Sequence, residues 1–435
     1  MIQAGYAAVS ITPHTGAMLD GFIARLGSSA GVDLPLMARA LWLESAQARA
    51  LIVGLDLLGL SQETADRIVG QLATDLTLPP GQVILSCSHT HSGPMTVRLR
   101  GLGEADEAYL ARLEQDVRRA SAEAESVKRP VWLAWATAPI SVGINRRAFV
   151  AGRGIVLGQN PDGPADTMVR LARLEGGSMC ADLFVHAVHP YCLGADSNLI
   201  SPDLFGHAAH HLRGKGHAPL YLNGCAGDIA PKQGFCGPDA AREEGARLAE
   251  AVLAAHETAR PDEAPDLRVA SATVALPYDT MPALEVLEHE LDRADRTVRD
   301  EERCDPRIVE RLRNAGRQWL SELRGAFASG SLPPVLGRVS VVALGRGALV
   351  VLPGENFFAT GQRIAARLGA DPTCVAAYGH GYIGYVPTPV AYAQGGYEVD
   401  DAHRYVGWWR LSPQASAILE ETAIRLWQQT GGKLP

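Results

Sequence analysis

Short apolar segments alternate with segments of helical periodicity along most of this 435-residue sequence. Apolar runs of strand length lie at residues 50–58, 82–87, 131–136, 168–175, 180–187 and 219–222. Apolar residues recur at helical spacing at residues 61–76, 105–125, 204–213 and 240–256. Because strands and helices follow one another repeatedly, the pattern predicts an α/β fold in which helices flank mixed sheets.

Residues 282–327 interrupt this alternation. The stretch is rich in charge and its apolar residues keep helical spacing, so we predict an insertion of one or two surface helices that could cover a site. After it, residues 339–351 are expected to form a strand pair turning at Gly345-Arg346-Gly347, and residues 356–368 a helix. Since no repeat or linker divides the chain, we predict one catalytic domain over residues 1–435.

Charge and composition exclude several classes of partner. The formal net charge is −8 and no basic stripe is present, which argues against nucleic-acid binding. No stretch approaches the roughly 18 apolar residues of a membrane span. The seven cysteines are scattered, and the first residues lack the features of a secretory leader. We therefore expect reduced thiols and a cytoplasmic location. Apolar positions in residues 282–327 are compatible with a homo-oligomer.

Two histidines follow the strand predicted at residues 82–87. His89 and His91 are two residues apart, and on an extended chain such residues point to the same side. Two imidazoles placed together at a strand end often bind a metal. A single His-x-His is nevertheless a weak motif, because one buried and one surface histidine would produce the same pattern.

A second pair of histidines, His186 and His189, ends the strand predicted at residues 180–187. The spacing of three places them on opposite faces of a strand. His189, at the strand end, is the better candidate for a shared site, and His186 for the core. Since α/β proteins usually bind ligands at the carboxyl ends of their strands, we expect His189 to meet the first pair there.

A catalytic zinc site needs a further, usually anionic ligand and one position for water. Asp56, Asp228 and Glu355 each follow a predicted strand, and composition does not choose among them. Glu355 would serve equally well as a first-turn acid of the helix that follows it. Two common metal-hydrolase patterns, His-x-His-x-Asp-His and His-Glu-x-x-His, are absent from the sequence.

Taken together, these segments resemble the catalytic domain of the neutral ceramidases, the non-lysosomal ceramidase-like family. The strongest match is Ser88-His89-Thr90-His91-Ser92-Gly93-Pro94. Further matches follow in the family's order: Ile11-Thr12-Pro13, Asn145-Arg146, His189, Leu199-Ile200-Ser201-Pro202-Asp203, Asn223-Gly224-Cys225-Ala226-Gly227-Asp228, Pro353-Gly354-Glu355, Tyr385 to Thr388, Tyr392, Gln394, Tyr397 and Glu398. Each motif is short, but the ordered set spans nearly the whole chain.

The resemblance implies roles for seven side chains. A zinc ion would be held by two histidines, a glutamate and a tyrosine, here His89, His189, Glu355 and Tyr385. The pocket lining that contacts the scissile amide would be His91, Arg146 and Tyr397. From the residue types alone, Arg146 would fit equally well as a solvated surface arginine. The tyrosines would equally form a packing stripe of Tyr382, Tyr385, Tyr392 and Tyr397.

Two departures from the family bear on the substrate. Ala230 stands where the family carries a serine proposed as a nucleophile, which favours attack by water that a zinc ion activates. The chain also leaves no room for the C-terminal β-sandwich of those enzymes, so we do not expect it to act on ceramide in membranes. We predict a zinc-dependent hydrolase that cleaves an N-acyl-type amide of a small soluble substrate. The alternatives are a metal-dependent esterase or lactonase on the same site, or a non-catalytic metal-binding scaffold.

Overall fold

The computed structural model describes residues 2–263, 265–289, 291, 305–329 and 332–435. The described strands are β1 (Ile2–Ser10), β2 (Gly31–Val32), β3 (Met37–Glu44), β4 (Arg49–Leu55), β5 (Val83–Cys87), β6 (Arg129–Pro139), β7 (Gly143–Val150), β8 (Gly154–Asn160), β9 (Met168–Gly176), β10 (Met179–His186), β11 (Leu199–Ile200), β12 (Ala218–Asn223), β13 (Ile229–Pro231), β14 (Arg260–Pro261), β15 (Leu267–Leu276), β16 (Val335–Leu344), β17 (Gly347–Val351), β18 (Glu355–Asn356), β19 (Thr373–Ala376) and β20 (Tyr385–Val386). The described helices are α1 (Gln62–Asp75), α2 (Glu107–Ser126), α3 (Asp203–Gly214), α4 (Pro238–Glu257), α5 (Pro306–Ala328), α6 (Phe358–Leu368), α7 (Pro389–Gln394), α8 (Tyr397–Asp400) and α9 (Ala415–Gln429).

The largest sheet contains both parallel and antiparallel pairs. Within the described residues it has nine strands in the order β12-β10-β9-β6-β1-β3-β4-β5, with β14 beside β6. The pairs β10–β12 and β4–β5 are parallel, and the strands between β10 and β4 pair antiparallel. A second sheet has the order β15-β16-β17-β19. These mixed sheets with flanking helices confirm the predicted fold class.

The two sheets pack face to face, and helices cover their outer faces. Along β4, Ile52 points into the apolar cluster between the sheets, where it is joined by Leu349 of β17. Its neighbours Leu51 and Val53 belong to the cluster on the helical side. Helices α1 to α4 contact the large sheet, and α6 and α9 contact the smaller one. Because both faces of β4 are buried, its sequence is a continuous apolar run rather than an alternating one.

Side-chain caps determine where two of the helices begin. The Ser61 side chain accepts a hydrogen bond from the backbone N–H of Thr64 at the start of α1. Asp106 accepts one from the backbone N–H of Tyr109 at the start of α2. Such caps satisfy N–H groups that have no partner within the helix. Both helices therefore begin within two residues of their predicted starts.

The charge-rich insertion is helical where it is described. Residues 284–289 and α5 are helices, whereas residues 290 and 292–304 lie outside the described part of the chain. Leu287, Trp319 and Leu323 form a buried cluster with Trp409. The predicted helices thus pack on the segment that carries Trp409.

Two features of the described residues concern membrane spans and cysteines. None of the described helices is long and apolar enough to cross a bilayer. Six described cysteines are free, and most of them are buried.

Strand ends from both sheets meet at one edge of the molecule. Ser86 of β5 forms an isolated bridge with Gly379, just beyond β19. Gly224, just beyond β12, forms another with Ala376 at the end of β19. Loops that follow β5, β10, β12 and β17 are therefore gathered in one place, as the rule for strand ends predicts.

Candidate metal centre

Three histidines converge at this edge. His89 and His91 follow β5, and His189 follows β10. Each offers a ring nitrogen to a common space, and these nitrogens lie within 4.8 Å of one another. The ring centroid of His89 is 5.0 Å from that of His91 and 4.9 Å from that of His189. His186, by contrast, is buried with its Nδ1 3.2 Å from the carbonyl oxygen of Met168, away from the cluster.

The two histidines of the His-Thr-His segment meet for a reason that differs from the predicted one. The strand ends at Cys87, and His89 has a φ of +67°, so the segment is not extended. The backbone N–H of His89 donates to the carbonyl oxygen of Leu57 at 2.9 Å, which fixes this left-handed residue. The expectation of an extended chain is therefore wrong, although both rings do reach the same space.

Backbone carbonyls select the tautomer of two of these histidines. Nδ1 of His89 lies 2.9 Å from the carbonyl oxygen of Leu58, and Nδ1 of His189 lies 2.6 Å from that of Ala226. A carbonyl oxygen only accepts, so each Nδ1 carries a proton. In the neutral rings, both Nε2 atoms then present a lone pair to the site. Histidine ligands of metals are usually held in this way.

Glu355 brings a carboxylate oxygen to both lone pairs. Its Oε2 lies 3.2 Å from Nε2 of His89 and 3.1 Å from Nε2 of His189. Zinc bonds of about 2.0–2.1 Å in a tetrahedron separate neighbouring ligands by about 3.3 Å, close to both distances. Burial opposes ionisation of Glu355, but positive charge and hydrogen bonds from the two histidines hold its pKa well below the usual range, an effect that a cation between them would also have. Two nitrogens and a carboxylate oxygen therefore fit a divalent cation.

Tyr382 positions this carboxylate from the other side. Its hydroxyl donates a hydrogen bond to Oε1 of Glu355, which leaves Oε2 free to face the histidines. The sequence placed Tyr382 only in a packing stripe, because nothing in its neighbourhood indicates this contact.

The other carboxylates and the helix-capping alternative are excluded by their positions. Asp56 accepts from Arg39 at 2.7 Å, and Asp228 accepts from the backbone N–H of Phe358 at 2.7 Å. Helix α6 is capped by Phe357 and starts at Phe358, whereas Glu355 lies in β18 and pairs with Tyr385 of β20. Of the three candidates, Glu355 is the one that reaches the histidines.

The loop that holds His189 explains one of the sequence motifs. Ala226, which accepts from His189, precedes Gly227 in the Asn223–Asp228 segment. A Cβ atom on Gly227 would lie 2.6 Å from the carbonyl oxygen of Glu355. Only glycine lets this loop pass so close to β18. Ala230 follows in β13, beside Ile229, whose carbonyl oxygen accepts from the His189 N–H at 3.0 Å.

Arg146 is a buried residue of this site and not a solvated arginine. It donates from Nη2 to the Tyr385 hydroxyl at 2.8 Å, and its Nη1 lies 3.2 Å from Nε2 of His189. Its Nε donates to Glu398 at 2.9 Å, and Arg147 donates to the other oxygen of Glu398 at 2.6 Å. Glu398 thus anchors both arginines, a role that the sequence did not reveal.

His91 and Tyr397 face a pocket that adjoins the cluster. The pocket has a volume of about 260 Å³, and its walls include His89, Glu355 and Tyr385 as well. Neither ring nitrogen of His91 has a hydrogen-bond partner among the described residues. Burial, followed by the neighbouring histidines, holds the pKa of His91 well below its usual value, so the ring is neutral. Burial likewise raises the pKa of Tyr397 and keeps its hydroxyl protonated.

The fold is shared with solved ceramidase structures. A ceramidase described as complexed with C2 superposes with a TM-score of 0.72 at 18% identity, covering 100% of this chain and 76% of that one. A neutral ceramidase from Pseudomonas aeruginosa gives a TM-score of 0.69 at 18% identity, covering 98% and 74%. No protein-family model matches the sequence, and no curated protein matches it. The chain therefore has the mixed α/β fold of neutral ceramidase structures, as the ordered motifs predicted.

Proposed function

We propose that this chain is a zinc-dependent hydrolase that cleaves an N-acyl-type amide bond in a small soluble substrate. The observation that carries the proposal is the convergence of two histidine Nε2 lone pairs on one oxygen of Glu355. The fold shared with ceramidase structures supports the choice of an amide as the bond type. The proposed zinc ligands are His89, His189, Glu355 and Tyr385.

A bound zinc ion lowers the pKa of water to about 7 and polarises a carbonyl group. Around it, the chain's own residues fix the geometry. Tyr382 holds Oε1 of Glu355 so that Oε2 faces the ring nitrogens. Burial raises the pKa of Tyr385, and the Arg146 guanidinium on its hydroxyl oxygen opposes that rise. Because the net shift keeps the Tyr385 hydroxyl protonated, zinc binding through its oxygen would displace that proton, and Arg146 would stabilise the resulting negative charge.

Three further side chains supply the polar groups that amide hydrolysis needs. Arg146 is held in place by Glu398, so its positive charge is fixed beside the reacting groups and stabilises negative charge on the carbonyl oxygen. Tyr397 keeps its proton and donates a hydrogen bond into the pocket. His91, neutral and unpaired, carries one nitrogen that accepts a proton and one that donates, as transfer to a leaving amine requires.

The pocket walls indicate the shape of the substrate. Leu58, Leu99 and Val406 make one wall apolar. His403 and Trp409 also line the pocket, and their ring nitrogens have no hydrogen-bond partner among the described residues. Buried donors without partners are costly unless a ligand satisfies them. The proposed substrate therefore combines an apolar body with a hydrogen-bond acceptor remote from the scissile bond.

The test is turnover of paired substrates by the full-length protein before and after removal of its metal. N-acyl amides and the matching esters are offered at equal concentration, and metal content is measured on the same samples. We expect amide cleavage that chelation abolishes and zinc restores, and loss of both activity and one equivalent of metal in His89→Ala. Turnover that survives chelation refutes the proposal. Cleavage of esters alone replaces it with an esterase or lactonase, and metal binding without any turnover replaces it with a scaffold.

A further inference from the structure

A second cluster of metal-ligating side chains lies at the opposite end of β10. Cys180 and Asp182 are two residues apart on this strand, so they share one face. His217 precedes β12, and because Ala218 pairs with Ala181, His217 lies beside Cys180. The six residues from Cys180 to the end of β10 at His186 span about 20 Å. The cluster is therefore separate from the candidate metal centre.

The donor atoms of this cluster are close together. Those of Cys180, Asp182 and His217 lie within 4.8 Å of one another. Nδ1 of His217 is 2.7 Å from Oδ2 of Asp182 and 3.5 Å from Sγ of Cys180. His256, in the last turn of α4, brings its Nε2 to 2.9 Å from Oδ1 of Asp182. His217 and His256 thus each face one oxygen of the Asp182 carboxylate, beside the thiol of Cys180.

These distances suit zinc. Zinc bonds of about 2.3 Å to sulfur and about 2.05 Å to nitrogen place the two atoms about 3.6 Å apart in a tetrahedron, near the separation of Cys180 and His217. The nitrogen–oxygen distances are those of hydrogen bonds and would widen to about 3.3 Å around an ion. A mixture of sulfur, nitrogen and oxygen donors is typical of zinc among common cations.

Hydrogen bonding alone leaves the cluster incompletely explained. Nδ1 of His217 carries at most one proton, yet both Oδ2 of Asp182 and Sγ of Cys180 face it. Asp182 is completely buried, and each of its oxygens faces an imidazole nitrogen. One cation between Asp182, His217 and Cys180 would satisfy the carboxylate together with the thiol.

The surrounding charges favour a cation on balance. His256 lies at the carboxyl end of α4, where the helix dipole is negative. The positively charged guanidinium of Arg173 lies beside Cys180 and would repel a metal ion there. That guanidinium is, however, paired with the carboxylate of Glu175. The side chains of His217 and His256 are 14% and 12% exposed, so an ion has access from solvent.

We propose that Cys180, Asp182 and His217 bind a zinc ion in a structural site, with His256 holding the other oxygen of the Asp182 carboxylate. It would tie β10, the turn before β12 and the end of α4 together. The site lies about 20 Å along β10 from the candidate metal centre, so it has no part in the hydrolysis proposed above.

Cobalt is a suitable probe, because a thiolate ligand gives a sulfur-to-cobalt charge-transfer band in the near ultraviolet. No described cysteine belongs to the candidate metal centre, so this band reports only the second site. Co²⁺ is added to the full-length metal-free protein, to Cys180→Ser and to the control Cys236→Ser, in which an exposed thiol is replaced. Hydrolysis, circular dichroism and zinc content are measured on the same samples.

We expect the band in the wild-type protein and in Cys236→Ser, and its loss in Cys180→Ser. Cys180→Ser should weaken metal binding at this site by at least about tenfold and retain hydrolysis. A folded Cys180→Ser protein that keeps the band refutes the assignment, and so does a wild-type protein without it. If Cys180→Ser misfolds, His217→Gln provides the same comparison, because it removes a ligand near the surface and leaves the thiol. The band should then weaken, and an unchanged band and affinity refute the site. Failure of the hydrolase proposal leaves this result unaffected.

Discussion

Tyr382→Phe is the sharpest test of how the candidate metal centre is organised. The substitution removes one hydroxyl, which donates to Oε1 of Glu355, and leaves the ring in place. In the metal-bound state this contact orients the carboxylate toward His89 and His189. We therefore expect Tyr382→Phe to weaken zinc binding without removing any proposed ligand.

The expected magnitude follows from the position of the hydroxyl one contact away from the ion. Loss of such a partner weakens metal affinity about 10- to 100-fold, which corresponds to about 1.4–2.7 kcal/mol. Without metal, the change also leaves Oε1 of a buried carboxylate without its hydrogen bond, which costs about 1.5–3 kcal/mol of folding free energy. The loss of zinc affinity and the loss of folding free energy are measured separately.

The zinc dissociation constant is measured by competition with a chromophoric chelator, in a Cys180→Ser background so that the second proposed site does not contribute. Urea unfolding of the metal-free protein gives the folding free energy. Tyr378→Phe is the matched control, because the Tyr378 ring stacks on His89 with centroids 4.4 Å apart. Its buried hydroxyl has no partner among the described residues, so its removal should leave zinc affinity unchanged.

An unchanged dissociation constant in Tyr382→Phe would refute the reasoning, since Glu355 would then need no orientation or would not bind the ion. Equal losses in both tyrosine variants would also refute it. That result would trace the effect to aromatic packing around His89 and not to the hydrogen bond.

The remaining predictions concern roles, stability and pH. His89→Ala should lose one equivalent of zinc, whereas His91→Ala should keep that equivalent and lose turnover about 10²- to 10⁴-fold. Loss of the same equivalent in both variants would make His91 a ligand. Glu398→Gln leaves Arg146 and a second buried arginine without their anion. It should cost about 3–5 kcal/mol in urea unfolding, and a change below 1 kcal/mol would contradict this. Burial raises the pKa of Asp20 to about 8, so the folded chain retains a proton that the unfolded chain releases above about pH 4. The free energy of unfolding should therefore fall as the pH rises from about 4 to 8, by at most about 1.4 kcal/mol per pH unit. If Asp20→Asn shows the same slope of free energy against pH, Asp20 is not the cause.

Much of the fold could be predicted from the sequence because periodicity is a local property. Strands buried on both faces, such as β4, give continuous apolar runs, and helices such as α1 and α2 carry their own caps. The position of His189 just beyond a strand also follows from local pattern together with the general rule for strand ends. A single domain, a homo-oligomer and a cytoplasmic location remain predictions.

The composition of the candidate site was decided by tertiary structure. Asp56, Asp228 and Glu355 look alike in sequence, and only the pairing of β18 with β20 brings Glu355 to the histidines. The roles of Glu398 and Tyr382 depend on contacts across long stretches of chain, 252 residues from Arg146 to Glu398 and 27 from Tyr382 to Glu355.

The His-Thr-His segment shows the difference between what the local sequence determines and what the tertiary structure decides. The sequence by itself determined that two imidazoles stand at the end of a buried strand. Tertiary structure decided how they are used, because carbonyl groups of Leu58 and Ala226 select the ring tautomers of His89 and His189. A backbone carbonyl is present at every residue and carries no mark in the sequence. Only the folded chain places one of them against a particular imidazole, and that placement directs the lone pairs toward Glu355.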